Sequence, residues 1–318
     1  MRAARVNLAK SDVVAMTENG TPLVTILTPT YNRADQLVDL WKTLCAQTNR
    51  RFCWLVVDDG STDNTATVVR GLAETSAFEI AYIKKENGGK HTALNCGIAQ
   101  VSTPLTFIVD SDDALTADAV DAIERAYRAY AEDEDVCGFS FLRAFPDGTV
   151  NGGRFPKDEW KETYIRARIN QNDMASDKAE VYKTACLREF PFPEFEGERF
   201  LGEDIVWIRM ARRYKTVHIN KVVYIGEYQT DGLTKNRRRH NLSSPNGCTA
   251  RAREYLQNDI ALKPRLKATL QYLIYGRVAK RGYAQLIGQA PNKVACLMLA
   301  VPAAVIRTHW LRQYRNND

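Results

Sequence analysis

At 318 residues, the chain can bury one large core or two modest ones, and its 44 Lys and Arg against 38 Asp and Glu leave a formal net charge of +6. That surplus is too mild to mark a nucleic-acid binder, although it favours anionic ligands and anionic surfaces. Seven cysteines, odd in number and scattered without a C-x-x-C pair, exclude a disulfide framework and a zinc site and point to reduced thiols in the cytoplasm.

Residues 1–21 are polar and mixed in charge, with no apolar h-region, and read as an N-terminal extension that is not a secretory signal. The β-branched run Leu23 to Leu27 predicts a first strand. Pro29, which cannot continue a central strand, predicts that the loop Thr28-Pro-Thr-Tyr-Asn-Arg33 starts there. From Asp35, Leu37, Leu40, Trp41, Leu44 and Cys45 fall at helical spacing. Phe52 to Val57 is the second strand; it runs into Asp58-Asp59-Gly-Ser-Thr-Asp63, a turn and helix cap leading to a helix through about Glu74. A third strand, Glu79 to Ile83, precedes Glu86-Asn87-Gly88-Gly89-Lys90 and another helix. Leu105 to Val109 is the fourth, and it ends in three carboxylates, Asp110, Asp112 and Asp113. A helix over Thr116–Ala131 and a strand over Val136–Phe145 follow. Strand and helix alternating at this rhythm predict a parallel sheet with right-handed crossovers.

Past residue 150 the signal weakens. Tyr164 to Asn170 reads as a short helix, and Gly202-Glu203-Asp204 opens a clear one through Tyr214. Thr216–Ile219 and Val222–Tyr228 read as two strands. The basic stretch Lys235 to His240 leads into a mostly helical tail, residues 231–318. Its apolar run Val294 to Ile306 is too short to span a bilayer and is followed by Arg307, His309, Arg312 and Arg315. Such a tail suits either peripheral contact with a membrane face or a terminal helix packed on the core.

The chemistry gathers at the predicted carboxyl ends of the strands, where open α/β sheets bind ligands. Asp58 and Asp59 can accept from a ribose or a base N–H. Gly88 and Gly89 let backbone approach a ligand, and Lys90 adds a cation at a helix start. The acids of this turn read equally well as a helix cap, through Asp112 or Asp113, or as a hard-cation site, and the neighbouring loops favour a divalent cation held by Asp110 and Asp112 and bridging two phosphates. Glu203 and Asp204 taken alone are favourable charge in a first helical turn.

The five segments Thr28–Arg33, Val57–Thr65, Glu86–Asn95, Val109–Asp113 and Gly202–Asp204 together resemble the inverting family 2 glycosyltransferases of the GT-A fold, over roughly residues 22–230. The resemblance implies an α/β fold with a Rossmann-like mixed, mainly parallel sheet flanked by helices: a donor half, 22–113, and an acceptor half, 114–230. It implies a nucleotide-sugar donor, usually a UDP-sugar, Mn²⁺ or Mg²⁺ held through Asp110 and Asp112, and a glycan or lipid-linked acceptor in cell-surface polysaccharide synthesis. Thr30, Tyr31 and Asp59 would then face the nucleoside, with Pro29 and Arg33 beside it. Asp58, Asn87, Lys90, Asn95, Asp110 and Ser111 complete the donor set, and Asp204 falls on the base with Glu203 adjacent. Many members carry Arg-Asn where this chain has Leu94-Asn95, so Lys90, with His91, is expected to supply the missing charge. His218, Asp231 and His240 are candidates for a third metal ligand. Arg237 to Arg239, hinged at Asp231-Gly232-Leu233, are a candidate closing loop. The aromatics of Phe192–Phe200, with Trp160 and Tyr164, are a candidate platform for an acceptor sugar. A cytoplasmic enzyme, at the inner face of the cytoplasmic membrane if the tail docks there, is expected.

Two other classes compete. A sugar-phosphate nucleotidyltransferase shares the α/β domain and the cation on acids, but needs a Gly-rich loop after the first strand, where this chain has Thr28-Pro-Thr-Tyr-Asn-Arg33. A catalytically silent nucleotide-sugar-binding module has no use for acids at 110, 112 and 204.

Overall fold

The computed structural model describes residues 5–6, 20–171, 176–226 and 237–315. Strands β1 (Arg5–Val6), β2 (Val24–Thr30), β3 (Phe52–Asp58), β4 (Ile80–Lys84) and β5 (Leu105–Ile108) precede β6 (Ala114–Leu115), β7 (Val136–Ala144), β8 (Trp160–Glu162), β9 (Ala179–Lys183) and β10 (Lys215–Ile225). They form one sheet in the order β1-β4-β3-β2-β5-β9-β7-β10-β6, with β8 alongside β10. β4, β3, β2 and β5 run parallel, as do β7 and β10. β9 lies antiparallel between β5 and β7.

Side chains alternate across the strands with period two. Val24, Ile26, Trp54 and Val56 point to one face, where they pack on α1 (Ala34–Cys45), α2 (Thr65–Thr75) and, nearby, α4 (Ala119–Tyr130) through Leu37, Leu40, Leu44, Val69 and Ile123. Leu27, Leu55 and Val57 point to the other and meet α3 (Lys90–Gln100), α5 (Thr184–Glu189) and α6 (Asp204–Ala211) through Leu94, Ile98, Leu187, Ile205 and Trp207. Each large side chain so buried contributes about 1.5–3 kcal/mol. A separate apolar cluster joins α8 (Pro245–Glu254), α9 (Leu262–Val278), α10 (Tyr283–Gln289) and α11 (Lys293–Arg315), with α7 (Arg237–Ser243) against it. The mixed, mainly parallel sheet and the helical C-terminal region are those expected.

The departures are local. β2 continues through Pro29 to Thr30: it pairs with β3 as far as Thr30↔Asp58 but with β5 only as far as Leu27↔Ile108. Beyond Leu27 the strand has one neighbour, which is where a proline is tolerated. The two strands expected over 216–228 are one bulged strand, β10, as far as Ile225, with register shifts at Ile219/Val222 and Val222/Tyr224; residues 227–228 lie outside the described residues. The short helix expected at Tyr164–Asn170 is a π-helical turn over Ile165–Ile169. β9, unread in the sequence, occupies the middle of the sheet. Its half-buried Glu180 meets the buried Arg168 at 2.7 Å, a partner that strand patterning does not reveal.

Candidate active site

A cleft of about 1560 Å³ runs along the carboxyl ends of the parallel strands and is walled on its far side by the C-terminal helices. β2 delivers Pro29 and Thr30 to it, followed by Tyr31 and Arg33. Tyr31 is 45% exposed, and the buried Thr30 hydroxyl has no hydrogen-bond partner. A buried hydroxyl without a partner carries a cost of about 1–3 kcal/mol that a polar ligand atom can relieve.

Asp59, at the end of β3, acts on the next loop. Its carboxylate accepts the Gly88 N–H at 2.9 Å, the Gly89 N–H at 2.7 Å and Lys85 Nζ at 2.8 Å. Gly89 has φ +94°, and a Cβ there would lie 2.0 Å from the Arg199 carbonyl oxygen, so only glycine lets these two loops touch. The loop so fixed presents Asn87 and starts α3 with Lys90 at the cleft.

Lys90 is the hub. Its ammonium contacts Asp110 Oδ1 at 2.5 Å and Glu203 Oε1 at 2.6 Å. Burial would favour the neutral amine, but the two carboxylates outweigh it and hold Lys90 protonated well above the ordinary lysine range. Burial, with the charge of Asp110, pushes Glu203 above the usual carboxylate range while Lys90 pulls it back. Against burial, Lys90, Arg143 and Arg33 keep Asp110 below it. Arg33 Nη1 meets Asp112 at 2.6 Å. Asp113 turns inward to Arg143 at 2.8 Å and the Tyr224 hydroxyl at 2.7 Å, while the Asp110 N–H donates to that same hydroxyl. Burial and then the Asp110 charge push Asp113 up to about 7. Ser111 is buried and lines the cleft between these acids.

Asp204, at the start of α6, is held by residues from the C-terminal region. Arg251 of α8 reaches both its oxygens, Nε and Nη2 each at 2.5 Å, and the Tyr255 hydroxyl donates to it as well. A bidentate guanidinium fixes the carboxylate's orientation and favours its ionised form. Arg251 and Tyr255 carry no motif; only the docking of α8 on α6 exposes their role, as the pairing of β7 with β10 does for Arg143 and Tyr224 behind the acidic turn.

Pro29, Thr30, Tyr31, Arg33, Asp59, Asn87, Lys90, Asp110, Ser111, Asp112, Glu203, Asp204 and His240 thus line one cleft. Three expected residues stand apart. Asp58 is fully buried beneath it, accepting from the Ser61 N–H and the Tyr82 hydroxyl. Asn95 is turned outward to clasp Phe192 and Glu194. His91 is buried in α3, and burial lowers its pKa, so the expected positive charge is that of Lys90 alone. In the expected aromatic platform, Tyr164 and Phe200 line the cleft, whereas Phe192 packs on Trp207 within the core and Trp160 on His218.

For a divalent cation, Asp110 and Asp112 are hard oxygen donors facing the cleft, and each is already compensated by a basic side chain. Such a pair fits an ion completed by phosphate and water oxygens. Among the described residues no three of His, Cys, Asp and Glu converge on a common point. His240 lines the cleft with its ring stacked on Phe200 at 5.8 Å but joins no such group. Asp231, with the expected hinge at 231–233, lies outside the described residues. His218 is not a ligand: it is fully buried in β10 between Phe155 and Trp160.

Burial and then the nearby Arg168 charge lower the His218 pKa from the ordinary 6.5 to about 3. The folded state then binds fewer protons than the unfolded one across that interval, so this contribution is complete above pH 6.5 and is lost as the pH falls toward 3, at up to about 1.4 kcal/mol per pH unit. His218→Phe should flatten that limb in urea midpoints taken across the interval; an unchanged slope would show that the imidazole is not the titrating group.

The sheet and its flanking helices are those of the GT-A glycosyltransferases. The chain belongs to glycosyl transferase family 2, whose sequence profile matches residues 25–192. Among curated relatives, an undecaprenyl-phosphate 4-deoxy-4-formamido-L-arabinose transferase of Sodalis glossinidius is 32% identical over 119 residues, 36% of this chain and 36% of that protein. Across the first three curated relatives the match spans between 16% and 36% of their own length. Among solved structures, S. aureus TarS 1-349 superposes with TM-score 0.60 at 17% identity, covering 93% of this chain and 92% of that one. The mannosyltransferase PcManGT of Pyrobaculum calidifontis, in complex with GDP-Man and Mn²⁺, gives 0.55 at 20%, covering 93% and 85%. At these identities the likeness is one of fold.

Proposed function

We propose that the chain is a metal-dependent, inverting glycosyltransferase that moves a sugar from a nucleoside-diphosphate sugar, a UDP-sugar in the first instance, to a glycan or lipid-linked acceptor in cell-surface polysaccharide synthesis. One observation carries the reading: Thr30 and Tyr31, the Asp59-braced glycine loop, Asp110 and Asp112, and the pair Glu203–Asp204 line a single cleft although they come from five segments of the chain. The relatives support it in kind. One is named for transfer from or to an undecaprenyl phosphate, TarS has been solved with UDP-GlcNAc and PcManGT with GDP-Man and Mn²⁺.

In this reading Tyr31 and the partnerless hydroxyl of Thr30 receive the nucleoside, and Arg33 and Lys90 face the diphosphate. Bound on Asp110 and Asp112, Mn²⁺ or Mg²⁺ would supply Lewis-acid stabilisation of charge on the departing diphosphate. Asp204, oriented by Arg251 and Tyr255, takes the proton of the acceptor hydroxyl, which is a poor nucleophile at neutral pH. One base opposite one leaving group makes a direct displacement at the anomeric carbon, with inversion. Tyr164, Trp207 and Tyr255 offer apolar faces to the acceptor beside that base.

Calorimetric titration with UDP, GDP and dTDP and with the corresponding triphosphates, each with and without Mn²⁺, tests the reading. Binding of one diphosphate, strengthened by Mn²⁺ and abolished in Asp112→Asn, is expected. Preference for a nucleoside triphosphate would favour the nucleotidyltransferase class.

A further inference from the structure

α11 is apolar around most of its circumference, yet only one side of it is covered. Cys296 and Ala303 are buried, and Leu299, Ile306 and Trp310 pack with them on the C-terminal cluster of α8, α9 and α10. The opposite side carries Val294, Leu297, Met298, Val301 and Val305, all more than 60% exposed, with Met298 at 74%. At 3.6 residues per turn these five fall within an arc of about 100°, one continuous stripe. A bare stripe of large apolar side chains marks an interaction site.

The surrounding charge says what covers it. From residue 261 to residue 317 the sequence holds ten Lys and Arg and no Asp or Glu, in a chain whose net charge is only +6. Arg312 continues the stripe one to two turns beyond Val305, and Lys293 opens the helix; both are exposed. At the start of α9, exposed Leu262 and Leu266 alternate with exposed Lys263 and Lys267. Lys263, Lys267, Trp310 and Tyr314 also line the cleft, so the basic start of α9 and the end of α11 meet at its mouth.

We infer that the outer stripe of α11, with the start of α9, is a docking surface for an anionic lipid bilayer, lying in the headgroup region and setting the mouth of the cleft at that level. A helix with an apolar face and basic flanks binds in this way, through apolar burial together with attraction to anionic headgroups. The segment Lys293–Tyr314 is long and apolar enough by length and composition to cross a membrane, holding an 18-residue stretch of mean hydropathy 1.6. Its packing argues for lying in the interface: the inner side is committed to α9, and the charge-free run Val294–Ile306 covers about 20 Å against a hydrocarbon core of about 30 Å. A second copy of the chain would bury the stripe equally well but leaves the uniform positive charge unanswered.

The test is sedimentation of the full chain with vesicles of pure phosphatidylcholine and of phosphatidylcholine containing phosphatidylglycerol, at low and high salt, for the wild type and for Met298→Glu/Val301→Glu. UDP binding by calorimetry serves as the control for folding and for the cleft, so that loss of docking and loss of donor binding are read separately. Expected are binding that requires phosphatidylglycerol, weakens with salt, is released by alkaline carbonate, and falls about tenfold or more in the double variant while UDP binding is unchanged. Equal binding to pure phosphatidylcholine, resistance to carbonate, or no binding to either vesicle would overturn the inference. So would a variant that binds vesicles as the wild type does but turns a dimer into a monomer in light scattering.

Discussion

Asp204→Asn is expected to lower kcat roughly a hundred- to ten-thousandfold, the range for loss of a positioned general base, with donor KM little changed. The amide keeps the size of the carboxylate and can still accept from Arg251 or Tyr255, so α6 and α8 should remain docked and the loss should be one of chemistry. Glu203→Gln, one residue earlier, should cost less, because Glu203 contacts Lys90 on the donor side of the cleft. Arg251→Lys gives the companion signature. A single ammonium replaces the two-nitrogen grip on Asp204, so the carboxylate loses its fixed orientation and kcat should fall with donor KM little changed. Rates measured at saturating donor across pH decide the assignment. If Glu203→Gln collapses kcat and Asp204→Asn does not, the base lies one residue earlier, on the group that burial already pushes upward.

Lys90→Met carries the second large effect. The thioether fills the space of the aliphatic stem but leaves Asp110 and Glu203 facing one another without the ammonium now within 2.6 Å of both. Hydrogen bonds to charged groups contribute about 1.5–3 kcal/mol, so donor affinity should fall about ten- to a hundredfold. Repulsion between the two acids should lower thermal stability as well. Added Mn²⁺ should restore part of that stability in the variant, because a cation on Asp110 answers the same negative charge. Calorimetry of UDP binding and melting curves with and without Mn²⁺ measure both. Full donor affinity in Lys90→Met would place the diphosphate elsewhere in the cleft.

The strand-edge side of the cleft is legible in the sequence for a physical reason. In a parallel sheet each strand ends at the same edge, so turn chemistry and charge written after successive strands converge without knowledge of long-range contacts. That rule brings Thr30, Asp59, Lys90, Asp110 and Asp112 to the cleft. It does not hold for Asp58 and Asn95, which lie off its lining. Neighbouring positions on a strand end point to opposite sides, and side chains on a helix point around its whole circumference; a motif does not say which of two adjacent acids looks outward. Asp58 turns into the core toward Tyr82 and Asp59 toward the glycine loop. On the other half of the site the sequence is silent. Arg251 and Tyr255 meet Asp204 across 47 and 51 residues, and β9 joins β5 to β7 from far along the chain. Contacts of that kind depend on how elements dock, which periodicity within each element does not encode.

The proposed reaction needs a cation held by the acids after β5 and a base at the start of α6, both acting on one substrate in one cleft. Release of nucleoside diphosphate from a panel of nucleotide sugars, by the wild type, Asp112→Asn and Asp204→Asn with Mn²⁺ and acceptor-bearing membranes present, tests this most directly. The wild type should consume one donor and both variants should be nearly inert toward it. Turnover at the wild-type rate by both variants would contradict it.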